Sequence, residues 1–380
     1  MRLPEVCDLT APRPSSTTLR SLLSAALSVS LGVARELGGA GPALGWYRER
    51  VRPRLLAEPG LLSASLLAPS RHTLARLLAF APRAPAAARA AWEEALAASL
   101  ALDVATALEL DVPITLAAPR TLVDERAGLA FDVPAGDLIL TPAGPVVAGA
   151  RLTGRAAAAE LVGPIRLALV DTNPISGLEA HPDKLGNALD LGGKSVDEWR
   201  RAVVDALRLI DEHLPALSGE LSLMLRHVVP VGYDEERHLS ASYLEAVGVV
   251  YLTLHPQRMT MVEALIHEFQ HNKLNVLLGL DPVLENGETP LYASPVRPDP
   301  RPLRGVLLAV HAFQPIALLY EQLRDRAGEG RGELDRRLTQ IARTCREGCD
   351  VLLPNARPTR VGRALFDEIA ELDRRLARHL

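Results

Sequence analysis

The segment His267-Glu268-Phe269-Gln270-His271 constrains this chain more than any other. On a helix, residues four apart lie one above the other, so the two imidazoles project from one face and can converge on a single point. Helix boundaries are signalled at both ends. Thr260 followed by Glu263 has the form of a capping box, and Gly279 suits a C-terminal stop, so the pattern predicts a helix over about Met261 to Leu278. Leu274 and Leu278 continue the histidine face toward the interior. Two imidazoles at this spacing can hold one divalent metal ion, and in hydrolytic enzymes with this motif the glutamate is the base that activates water. The competing reading is a helix whose histidines only pack or meet water.

Such a site needs a third ligand, expected from downstream. The continuation that would place Gly and then His after the motif is absent, because those positions hold Leu274 and Leu277. His311 is the first candidate. It lies 311 − 271 = 40 residues on, in an apolar stretch expected to be helical from near Pro302 to about Arg324. Pro315 lacks the amide that would bond the His311 carbonyl, so a kink is expected where that imidazole must be aimed. The carboxylate rivals are Glu285, Glu288 and Glu321. A glutamate ligand would fit either a zinc peptidase or the two-histidine, one-carboxylate set that holds iron. The plainer alternative for His311 is a core histidine.

Between the two helices runs a proline-stiffened segment, Tyr292 to Arg304, carrying Arg297, Arg301 and Arg304. A guanidinium fork is the natural partner of a carboxylate, so this loop is a candidate binding element, with Arg301 the first choice and Arg297 the second. A solvated connector whose arginines pair with surface acids is the competing reading.

Around these segments the chain divides by texture into three regions and reads as α+β. Residues 1–110 are rich in Ala, Leu and Arg and are expected to be helical. Residues 111–257 carry short β-branched runs, Val112 to Leu116, Leu138 to Thr141, Ile165 to Val170, His227 to Val231 and Val247 to Leu254, and one amphipathic helix over about Ser195 to His213. Residues 258–380 are expected to be mainly helical and to carry the metal. With 42 basic and 46 acidic side chains and a formal net charge of −4, the chain lacks an electrostatic footprint for nucleic acid or acidic lipid. Three cysteines, Cys7, Cys345 and Cys349, are too few for a disulfide framework and fit the cytoplasm. No apolar run reaches the roughly 20 residues that span a bilayer, so no membrane is expected.

Glu263 to Lys273, with Ser294 to Leu303 and Gly305 to Phe313, resembles the HEXXH-motif peptide-modification proteins. The resemblance extends to Asp171-Thr172-Asn173-Pro174 with His181-Pro182-Asp183, and to Ser240-Ala241-Ser242 ahead of a strand over Gly248 to Leu254, so it spans about residues 165 to 325. It implies a 2-oxoglutarate-dependent β-hydroxylase acting on a ribosomally made precursor peptide, without a fused radical SAM domain. On that reading Fe(II) is held by His267, His271 and His311, and Arg301, with Arg297, takes the far carboxylate of 2-oxoglutarate. Glu268 then orients a ligand or positions substrate. The rival readings are a zinc metallopeptidase with Glu268 as base, and a non-catalytic metal domain that presents peptides. His181, His238 and Ser242 read as structural, and His227 and His255 as surface or turn residues.

Overall fold

The computed structural model describes Val6 and residues 8–38, 44–81, 83–177, 186–296, 298–326 and 330–380. Cys7, His181 and Arg297 lie outside the described residues. The chain is α+β, with helical N- and C-terminal regions and the strands between them.

The N-terminal helices are α1 (Thr17–Glu36), α2 (Arg52–Ala57), α3 (Pro59–Leu67), α4 (Pro69–Phe80) and α5 (Ala86–Ala107), with a π-helical turn over Tyr47–Val51 leading into α2. Pro53, Pro59 and Pro69 each stand in the first turn of a helix, where a missing amide breaks no bond. Next come β1 (Val112–Leu116), β2 (Arg120–Asp124), β3 (Leu129–Val133), β4 (Gly136–Thr141), β5 (Gly144–Val147), β6 (Ala150–Arg151) and β7 (Arg155–Ala156). They form two antiparallel sheets, ordered β1-β4-β5-β6 and β2-β3-β7. In β1 burial alternates residue by residue, with Val112, Ile114 and Leu116 inward and Pro113 and Thr115 exposed. Those inward residues pack on α5, so one core runs from Ala34 to Leu140 across the change in texture near residue 110.

A second core organises the rest. It takes in β8 (Ala158–Val162), β9 (Ile165–Ala168), α6 (Val196–His213), α7 (Pro215–Met224), β10 (His227–Tyr233), β11 (Ser240–Ala241), β12 (Val249–Leu254) and α8 (Arg258–Leu278). The chain then forms the short pair β13 (Leu291–Tyr292) and β14 (Arg301–Pro302), followed by α9 (Leu303–Arg326), α10 (Arg331–Asn355) and α11 (Arg363–Leu376). The sheet order is β11-β12-β10-β9-β8, with β9, β10 and β12 parallel. Parallel neighbours need a crossover, which α6 and α7 supply between β9 and β10. Ser195 caps α6 in a capping box with Glu198, and the apolar stripe of that helix buries Trp199, Val203, Leu207 and Ile210. Residues of β12 alternate between two environments: Val250, Leu252 and Leu254 face α8, whereas Val249 and Tyr251 face the other side with Val229.

Several expectations are revised. The motif helix starts at Arg258, a turn earlier than the Thr260–Glu263 signal placed it, and Glu263 does not cap it. Glu263 instead accepts the Tyr320 hydroxyl at 2.6 Å and pairs with Arg337. Gly279 does follow the last helical residue, but with right-handed φ of −72°; it serves as space, because a Cβ there would strike the Arg76 guanidinium. The proline-stiffened connection before α9 also contains a short antiparallel pair, β13 with β14. By length and composition α1 and α9 are apolar enough to cross a bilayer, contrary to the expectation that no segment is, although most of α9 is buried inside the fold.

Candidate metal centre

The motif helix α8 is buried almost all round, and its polar residues are used to hold it in place. Lys273, fully buried, donates to Glu220 of α7 at 2.7 Å. Asn272 accepts the Gly248 amide at 2.8 Å and donates to the Val249 carbonyl at 2.8 Å, fixing α8 to the edge of β12. Gln270 donates to the Thr10 carbonyl at 3.3 Å. From α4, the buried Arg76 donates to the Leu244 carbonyl at 2.9 Å and reaches the Asn275 carbonyl at 3.4 Å, placing a cation at the negative end of the helix. The His267 and His271 side, by contrast, is half-buried.

On that side the two Nε2 atoms stand 2.9 Å apart, with the rings at 82°. At a metal–nitrogen bond of about 2.1 Å, two ligands at right angles would stand about 3.0 Å apart. The same separation suits one ring donating to the other, so the pair is close enough for either use. Burial lowers the pKa of both histidines from the usual value, for His271 well below it, against the pull of Glu268 and Glu263 on His267. The rings are therefore neutral near pH 7 and present lone pairs, the form a metal requires.

Glu268 completes the cluster. Among the described residues, His267, Glu268 and His271 are the one group of three histidine, cysteine or carboxylate side chains with donor atoms within 4.8 Å of one another. One Glu268 oxygen accepts the Ser240 hydroxyl at 2.6 Å. The other, like His271 Nδ1, is buried without a hydrogen-bond partner. Two neutral imidazoles and a buried carboxylate with a free oxygen are a donor set that fits a divalent cation. Ser240 begins β11, whose pairing with Leu252 of β12 sets it over α8. Its sequence gives no spacing that would announce this.

The structure does not bring His311 into the group. The face of α9 turned to the pair carries Phe313, whose ring centre lies 5.1 Å from that of His267. Two positions along a helix are about 200° of rotation, so His311 and Phe313 lie on different faces of α9. It is fully buried beside the Leu9 backbone, with neither ring nitrogen in a hydrogen bond of good geometry, and burial, then Lys273 and His271, lowers its pKa well below normal. Two of the three carboxylate rivals pair with other groups: Glu288 lies 3.2 Å from Arg304, and Glu321 is held by Arg375, Arg378 and His379. Arg301 lies against Gly305, in the first turn of α9, and pairs with Asp299 at 2.9 Å, while its Nε has no partner. His238 meets His255 edge to face at 6.3 Å, outside the metal group. His255 is buried rather than a surface residue, and its Nδ1 accepts the Gln257 amide at 3.0 Å.

Compared with known protein families and with curated proteins, the chain matches none.

Proposed function

We propose that the chain is a metal-dependent enzyme that holds one divalent ion on His267 and His271, and that it is an Fe(II)- and 2-oxoglutarate-dependent oxygenase hydroxylating a side-chain β-carbon of a ribosomally made peptide. The observation that carries the metal site is the pair of neutral imidazoles 2.9 Å apart beside a buried carboxylate with one free oxygen. The oxygenase reading draws its support from the resemblance around α8, β14 and α9. Arg301 adds to it as a half-exposed guanidinium just ahead of α9, 12 residues before Phe313 and paired with Asp299.

Bound together, iron and 2-oxoglutarate would use dioxygen to oxidise a carbon–hydrogen bond, with 2-oxoglutarate going to succinate and carbon dioxide, a reaction that no protein side chain can perform alone. The protein's part is binding and orientation. His267 and His271 lend their Nε2 lone pairs, and Ser240 holds one oxygen of Glu268 and leaves the other without a partner beside them. Phe313 covers one side of His267 and limits access of water. Arg301 would exchange Asp299 for the far carboxylate of the co-substrate, a planar fork for a planar acid.

Anaerobic titration of the metal-free protein with Fe(II) and then 2-oxoglutarate tests this reading. A weak visible charge-transfer band is expected, absent in His267→Ala. The placement of Glu268 favours a second reading, zinc-dependent peptide hydrolysis with that carboxylate as the base. Iron binding without the band, or binding of zinc alone, would replace the first reading with the second, in which Glu268→Gln abolishes turnover and retains the metal.

A further inference from the structure

A cavity of about 260 Å³ lies on the face of the mixed sheet opposite α8. Val229, Val249 and Tyr251 line it from the sheet, and the β2–β3 turn, the first turn of α4 and residues 170–173 wall it. Asp171, Glu125 and His227 converge there. Asp171 accepts the Asn173 amide at 2.9 Å and the Tyr251 hydroxyl at 3.1 Å, both neutral donors. Glu125 Oε1 accepts the Ser70 hydroxyl at 3.2 Å, and its Oε2 faces His227 Nε2 at 4.0 Å.

The cations nearby give most of their hydrogen bonds to other groups. Arg71 lies 3.6 Å from Glu125 but gives its two strong bonds to Asp103, at 2.9 and 2.7 Å. At the rim Arg166 answers Glu160 at 3.0 Å. Arg226 donates to the carbonyls of Ser222, Leu223 and Leu225, and Arg126 is exposed at the mouth. Burial keeps His227 neutral despite the two carboxylates beside it. Three carboxylates line the cavity, Glu125, Glu160 and Asp171, against two guanidiniums, Arg126 and Arg166, and its wall carries three acceptors: Glu125 Oε2, the Asp171 carboxylate and the imidazole nitrogen of His227. They are too widely spread for one metal ion, because among the described residues only the α8 group brings three such donors within 4.8 Å.

We propose that this cavity is a second binding site, for a small organic cation with a primary ammonium on an apolar stem. The three N–H donors of an ammonium match the three acceptors, and the stem lies over Val229 and Val249. The site is independent of the metal centre, from which the sheet separates it.

Calorimetric titration of the full chain with n-pentylammonium, 1-pentanol and calcium chloride tests the proposal. Saturable one-to-one binding of the ammonium is expected, with the alcohol at least tenfold weaker, and Glu125→Gln and Asp171→Asn each weakening the ammonium at least tenfold. Because Asp171 holds the Asn173 amide and the Tyr251 hydroxyl, loss of fold in its variant is read by far-UV circular dichroism, and in that case Glu125→Gln decides. His267→Ala should leave ammonium binding unchanged, so the two sites can fail separately. Equal binding of alcohol and ammonium, calcium binding that displaces the ammonium, or no saturable heat would overturn it.

Discussion

Ser240 is the residue on which the chemistry of Glu268 turns. A buried carboxylate beside two imidazoles has several rotamers open to it, and the 2.6 Å bond from the Ser240 hydroxyl selects one. Partners of this kind typically contribute about 10–100-fold to metal affinity or activity. Ser240→Ala is therefore expected to weaken Fe(II) or Zn(II) binding, or turnover, by about that factor, with far-UV circular dichroism unchanged and Ser240→Thr restoring most of it. Metal affinity identical in Ser240→Ala and the parent protein would remove Ser240 from the site. The same scale explains why spacing alone could not place His311: its identity and distance along the chain suit a ligand, but the face of a helix that reaches a neighbour depends on how the two helices pack.

The motif helix is held rigidly by elements that carry no metal chemistry. Lys273 projects from its inner side and meets Glu220 of α7 with both side chains out of solvent. Burial raises the pKa of Glu220, and Lys273 opposes that shift, so each charge depends on the other. Removing one partner of a buried pair costs about 3–5 kcal/mol, whereas replacing both by apolar groups can be nearly neutral. Urea denaturation of Lys273→Met should show a loss of that size, largely recovered in the double variant Lys273→Met/Glu220→Met. A loss in the double variant as large as in the single one would show that packing volume, not the unpaired charge, dominates.

Across the whole molecule, burial acts on histidines outside the motif in one direction. It lowers the pKa of His72, His213, His227 and His311, taking His72 to about 4. Each takes up a proton more readily when unfolded than when folded. Their contribution to stability is therefore complete above about pH 6.5, the unfolded value, and is lost as pH falls toward the lowered folded values. For His72 alone, the shift corresponds to roughly 3 kcal/mol once the pH is below both values. His72 Nδ1 lies 3.1 Å from the Leu66 carbonyl while Nε2 has no partner, so a second proton there would be a buried, unanswered charge. Chemical unfolding of the metal-free chain at pH 7.5 and pH 5 should show lower stability in acid, and His72→Gln a shallower decline. Stability independent of pH over that range would contradict the burial of these rings.

Periodicity and turn chemistry made the secondary structure legible. The α6 stripe, the strand over Val112 to Leu116 and the helix bearing His267 and His271 all follow from local residue order, because side-chain direction in a helix or strand is fixed by spacing alone. The convergence of the two imidazoles was likewise readable, being a contact within one helical turn. What the sequence could not specify were meetings between elements. The Ser240–Glu268 bond depends on the register of β11 against β12, the Phe313 contact on the rotation of α9 over α8, and the Arg76 seat on the space that Gly279 leaves. The continuation of the first core from helices into β1–β5, past the change in composition near residue 110, is decided by packing that no local pattern records. Sequence by itself determined which residues form the helix and share its face; tertiary structure decided which neighbours face that helix, because those contacts join residues far apart in the chain through the geometry of packed elements.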